Sequence, residues 1–89
     1  MSEIYTTFII NNKFVRWETF NPLSTIQDVF NILKRKYDIN KCIIEIGCVS
    51  ILKNNRFNST NVYEILVREK ISYIRVTTKT KIQYLNSET

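Results

Sequence analysis

From Ile4 to Phe20 the chain reads IYTTFIINNKFVRWETF, β-branched and aromatic residues alternating with polar ones on both sides of Asn11-Asn12. Two strands joined by a turn are the expected solution, because asparagine tolerates the positive φ of a two-residue primed turn. A turn centred there pairs Phe8 with Val15, Thr6 with Trp17 and Ile4 with Thr19 on one face. The other face holds Ile9 with Phe14, Thr7 with Arg16 and Tyr5 with Glu18. The first set carries Phe8, Val15 and Trp17 and no charge, so it is the expected core face.

The period changes at NPLS, residues 21–24. Asn-Pro ends the strand, and Ser24 or Thr25 can cap a helix, with Gln27 or Asp28 in the capping-box position. Ile26, Val29, Phe30, Leu33 and Tyr37 then fall at i, i+3, i+4, i+7 and i+11, one apolar stripe. Asp28, Asn31, Lys34 and Arg35 lie opposite, and the helix should end near Tyr37 or Asp38. CIIEI at 42–46 reads as a third strand, with Cys42, Ile44 and Ile46 inward and Ile43 and Glu45 outward. Gly47, the only glycine, breaks that strand at positive φ. Residues 49–52 form a short fourth strand, and KNNRFNST a polar loop anchored by Phe57. Thr60 or Asn61 caps a short helical turn over Val62, Tyr63 and Ile65. ISYIRVTT at 71–78 is the last strand, with Ile74 and Val76 inward and Tyr73, Arg75 and Thr77 outward. The expected class is α+β, one main helix packed across one face of a mixed four- to five-stranded sheet.

Element order and residues together resemble the ubiquitin-like β-grasp superfamily over roughly residues 4–78. FVRWETFNPLSTI is similar to the second strand and helix start of SUMO-type modifiers. STIQDVFNILKRKYDI resembles ubiquitin's helix, CIIEIGCVSIL its third strand, turn and fourth strand, and NSTNVYEI the short helical segment before its last strand. Conjugating members of that superfamily end in Gly-Gly. KTKIQYLNSET holds no glycine, so the resemblance implies a binder rather than a modifier. The positions matching the hydrophobic patch that ubiquitin receptors read are Glu45, Arg75 and Thr77, so those receptors are not expected to take this chain for ubiquitin. The expected organisation is a ubiquitin-like domain over 1–80 and a flexible tail over 81–89.

Composition narrows the function. With no histidine and only Cys42 and Cys48 as cysteines, the chain lacks the usual general base and offers neither a zinc ligand set nor a disulfide framework. No catalytic, cofactor or metal residue is expected, and no small-molecule substrate. No apolar run reaches the length of a membrane span and no secretory leader opens the chain, so an intracellular protein, cytoplasmic or nuclear, is expected. A net charge of +5 favours an acidic partner. Abundant Asn, Ile and Lys without alanine suit an AT-rich coding genome, as in many large DNA viruses and some protists.

The strand order of the resembled fold sets Tyr5, Thr7 and Ile9 beside Tyr73, Arg75 and Thr77, and those beside Ile43 and Glu45. Ile9, Phe14, Ile43 and Tyr73 are then exposed apolar residues among Arg16, Glu45 and Arg75, the expected protein-contact face. Tyr and Arg are frequent interface anchors, whereas apolar surface residues scattered singly need no partner. Lys34, Arg35, Lys36 and Lys41 form a basic cluster at the helix end, where positive charge is favourable with no partner at all. The competing reading is an acidic surface bound by the basic helix and Arg16, as in Ras-binding β-grasp domains. Nucleic acid is the runner-up from another class; the aromatics are expected to alternate into the core, leaving no stacking platform.

Overall fold

The computed structural model describes residues 3–53 and 56–78. Their order is β1 (Ile4–Ile10), β2 (Lys13–Phe20), α1 (Ile26–Tyr37), β3 (Cys42–Ile46), β4 (Val49–Leu52), α2 (Val62–Glu69) and β5 (Tyr73–Thr78). The strands form one mixed five-stranded sheet in the order β2-β1-β5-β3-β4. β1 and β5 run parallel at its centre, and the other pairings are antiparallel. The fold is α+β, a five-stranded mixed sheet with two helices.

The hairpin turn is the one asparagine permits, with Asn11 at φ 50° and Asn12 at φ 71°. The register beyond it departs from the alternation. Ile9 pairs with Phe14 as expected, but Thr7 pairs with Trp17. Phe8 therefore faces both Val15 and Arg16, a β-bulge. Past the bulge every pairing shifts by one: Thr6 with Glu18, Tyr5 with Thr19, Ile4 with Phe20. The shift turns Phe20 into the core, where it is buried, and Trp17 out of it, 61% exposed. Trp17 is not a core residue.

One face of the sheet carries the core. Phe8 and Phe20, Ile44 and Ile46, and Ile74 and Val76 meet Ile26, Val29, Phe30 and Leu33 of α1 and Val62, Ile65 and Leu66 of α2. Thr25 is the α1 N-cap: its hydroxyl accepts from the Asp28 N–H while the Asp28 carboxylate accepts from the Thr25 N–H, a complete capping box. α1 stops at Asp38 in the left-handed region, and the Asp38 and Ile39 N–H groups donate back to the carbonyls of Lys34 and Leu33. α2 runs two turns rather than the expected one, capped by Asn61. The starts of the two helices are stitched together, Ile26 N–H to Thr60 O at 2.8 Å and Val62 N–H to Ser24 O at 3.0 Å. Phe57, expected as a loop anchor, is instead partly exposed, with the Arg56 guanidinium 5.7 Å from its ring centre.

Among the described residues no helix is long and apolar enough to cross a membrane. The expected tail, 81–89, lies outside the described residues.

Candidate protein-contact face

Both helices contribute to the core on one side of the sheet, and side chains alternate across a strand, so the opposite side presents the odd-numbered residues of β1 and β5. The ladders fix their neighbours. Trp17, Thr7 and Tyr73 form one row across β2, β1 and β5. Phe14, Ile9, Arg75, Glu45 and Ser50 form the next row, across all five strands. Thr77, Ile43 and Leu52 form a third, on β5, β3 and β4. The expected neighbourhood of β1, β5 and β3 is therefore present.

The exposures differ from the expectation in an instructive way. Phe14 is 76% exposed and Tyr73 37%, Glu45 and Arg75 are exposed on the same face, and Arg16, also exposed, stands instead in the bulge opposite the core residue Phe8, where it lines a cleft with Trp17, Glu18 and Lys36. Ile9 is only 5% exposed although it stands apart from the core cluster. It sits mid-sheet between Phe14 and Arg75, whose long side chains shade the shorter aliphatic one. Ile43 is half-buried between its cross-strand neighbours Leu52 and Thr77. Neither is a protruding contact residue.

Trp17, which the alternation placed on the core face, belongs to this surface. Trp17 arrives through the bulge, and Tyr5, 63% exposed, meets it edge to face with ring centres 5.0 Å apart. The four exposed aromatics of the sheet, Tyr5, Phe14, Trp17 and Tyr73, thereby gather on β2, β1 and β5, at one corner. The clue was Phe20. It is the last strand residue before the helix cap and must reach the core, which strict alternation from Phe14 forbids.

Ring orientation sets what this corner can hold. The Trp17–Tyr5 pair lies at 78° between planes, so the two rings engage each other rather than offering parallel ledges. The Arg75 guanidinium lies 5.8 Å from the Tyr73 ring centre, within cation–π range. The ion pairs among the described residues are Lys36–Glu18 at 2.7 Å and Arg68–Glu69 at 4.0 Å, and neither takes in Arg16 or Arg75.

The basic cluster is less free than its sequence suggests. Lys34, Arg35 and Lys36 occupy the last turn of α1, where they complement the helix dipole. Lys36 is tied to Glu18, and only the exposed Lys41 lies beyond the helix.

The cysteines are far apart in character. Burial pushes the Cys42 thiol up to about 11, against a smaller opposing pull from Lys53. Cys48 is exposed in the β3–β4 turn, its N–H donating to Glu69 Oε1 at 3.0 Å. No group of three or more His, Cys, Asp or Glu able to hold a metal ion occurs among the described residues. Comparison with known protein families, curated proteins and solved structures gives no match.

Proposed function

We propose that this chain is a non-conjugating, ubiquitin-like β-grasp module that binds a protein partner through the open face of its sheet. The β-grasp reading is supported by a hairpin followed by a helix across one sheet face, with the last strand parallel to the first at the centre. Gly47, the only glycine of the 89 residues, sits in the β3–β4 turn. The binding reading rests on one observation: Trp17, Tyr5, Phe14 and Tyr73 stand exposed together on one corner of that face. Trp, Tyr and Arg dominate interface hot spots, and burying a large aromatic ring there would remove 150–250 Å² or so from water.

Single-stranded nucleic acid also favours aromatic and arginine surfaces, and here the aromatics do reach the surface. It is the weaker reading because stacking needs free, flat ring faces. Two of the four rings meet edge to face and a third faces an arginine.

The test is recovery of the partner from the native cell, followed by binding of Phe14→Asp and Trp17→Ala to the purified partner. Both variants should lose capture by roughly ten-fold or more while keeping the circular-dichroism spectrum and thermal midpoint. Partner binding at wild-type strength by both would remove the sheet face from the proposal. Binding of oligothymidylate that weakens steeply with salt, and is lost in Trp17→Ala, would transfer the face to nucleic acid.

A further inference from the structure

The two outer edges of the sheet differ. β2 carries a bulge and the charged Lys13, Arg16 and Glu18, features that keep a sheet edge from pairing with another chain. β4, at the opposite edge, reads VSIL, with no charge, proline or bulge. The ladder fixes which of its backbone groups are free. The Lys53 N–H donates to the Cys42 carbonyl at 3.1 Å, so these two residues are a hydrogen-bonded pair. Such pairs alternate along an antiparallel ladder. Ile51 and Val49 therefore also turn towards β3, and Ser50 and Leu52 turn their N–H and C=O groups outward. Among the described residues, neither makes a backbone hydrogen bond on that side.

We infer that β4 is a dimerisation edge, pairing antiparallel with β4 of a second copy of this chain about a two-fold axis at Ile51. In that register Ser50 of each copy meets Leu52 of the other, and every outward N–H finds an outward carbonyl, a self-complementary contact. Charge agrees. Glu64 and Arg68 of α2 line the groove beside this edge with Val49, Ile51, Phe57 and Ile65. α2 ends at the turn from which β4 starts, where Glu69 holds the Cys48 N–H. The axis at Ile51 therefore sets Glu64 of each copy towards Arg68 of the other, since the two residues stand one helical turn apart. Residues 42–69 carry Lys53, Arg56 and Arg68 against Glu45, Glu64 and Glu69, so the chain's surplus of +5 lies elsewhere and does not oppose this contact. The aromatic corner on β2, β1 and β5 stays uncovered, and the inference holds whatever that corner binds.

Mass in solution tests it. Light scattering from the full chain should rise from the 10.6 kDa of the monomer towards twice that mass as its concentration is raised to about 1 mM, and the thermal midpoint should rise with it. Ser50→Pro removes only an outward N–H, and Leu52→Lys sets a charge on the edge. Each should weaken dimerisation by about ten-fold or more without changing the circular-dichroism spectrum, and Leu52→Lys decides the matter where proline unfolds the strand. Glu64→Arg and Arg68→Glu should each weaken the dimer as well. Their equimolar mixture should dimerise better than either alone, because the reversed charges meet across the axis. A chain monomeric throughout, a dimer that the folded edge variants keep, or a mixture no better than its parts would each overturn the inference. So would loss of the dimer in Phe14→Asp or Trp17→Ala, which would assign the second copy to the aromatic corner.

Discussion

At the scale of single residues, the bulge opposite Phe8 decides which of two aromatics is structural. Phe20 is buried beside Phe8, ring centres 6.4 Å apart, whereas Trp17 lies on the open face. Phe20→Ala should therefore cost about 3–5 kcal/mol, as for other buried aromatics, and Trp17→Ala less than about 1 kcal/mol. Urea unfolding of the two variants checks this; equal losses would place both rings in the core and abolish the bulge. Cys42 supplies a pH dependence. Its thiol ionises at about 11 in the folded chain against an ordinary 9.0, so the unfolded chain releases the proton first. Its contribution to stability is fully present below about pH 9 and is lost as the pH rises towards about 11, because the unfolded state binds fewer protons across that window. Relative to Cys42→Val, the wild-type chain should lose roughly 2 kcal/mol between about pH 8 and pH 10.5. A constant difference between the two proteins over that range would show that the thiol is not held protonated by burial.

At the scale of elements, the β3–β4 turn and the last turn of α2 are joined at one point. Gly47 has φ 60°, and a Cβ there would run into the Glu69 carboxylate, the group that accepts from the Cys48 N–H. Gly47→Ala should cost about 1–3 kcal/mol from the left-handed backbone and the displaced carboxylate. Glu69→Ala opens the space but leaves the backbone strain. The double variant should therefore be less destabilised than the sum of the singles, a coupling that a double-mutant cycle measures directly. Strict additivity would mean that the turn and α2 do not touch there. The positive φ at Gly47 was legible because glycine is the residue that adopts it without strain. Glu69 was not, since nothing local ties a carboxylate in a helix to a turn 21 residues away.

At the scale of the whole molecule, Leu33 stands at the centre of the α1 stripe and is fully buried in the cluster shared by the sheet and both helices. Leu33→Ala should cost about 2–5 kcal/mol and lower stability as one cooperative unit, so Trp17 fluorescence and far-ultraviolet circular dichroism should give the same midpoint. Separate midpoints would mean that the β1–β2 hairpin melts independently of the helices. The sequence by itself determined the elements, because each rests on local chemistry: the Asn11-Asn12 turn, the Thr25–Asp28 capping box, the helical stripe, the break at Gly47. It also determined the core faces of α1, β3 and β5, where a clean period leaves one choice. Only the tertiary structure decided the face of Trp17. Val15, Trp17 and Phe20 cannot all reach the core from an unbroken strand, and the conflict is resolved by helix packing that draws in Phe20 at the cost of one unpaired residue. The candidate site moved with it. The corner of Tyr5, Trp17, Phe14 and Arg75 exists because β5, distant in sequence, pairs with the β1–β2 hairpin, while Ile9 and Ile43, apolar and outward by alternation, are partly or wholly covered in the assembled sheet.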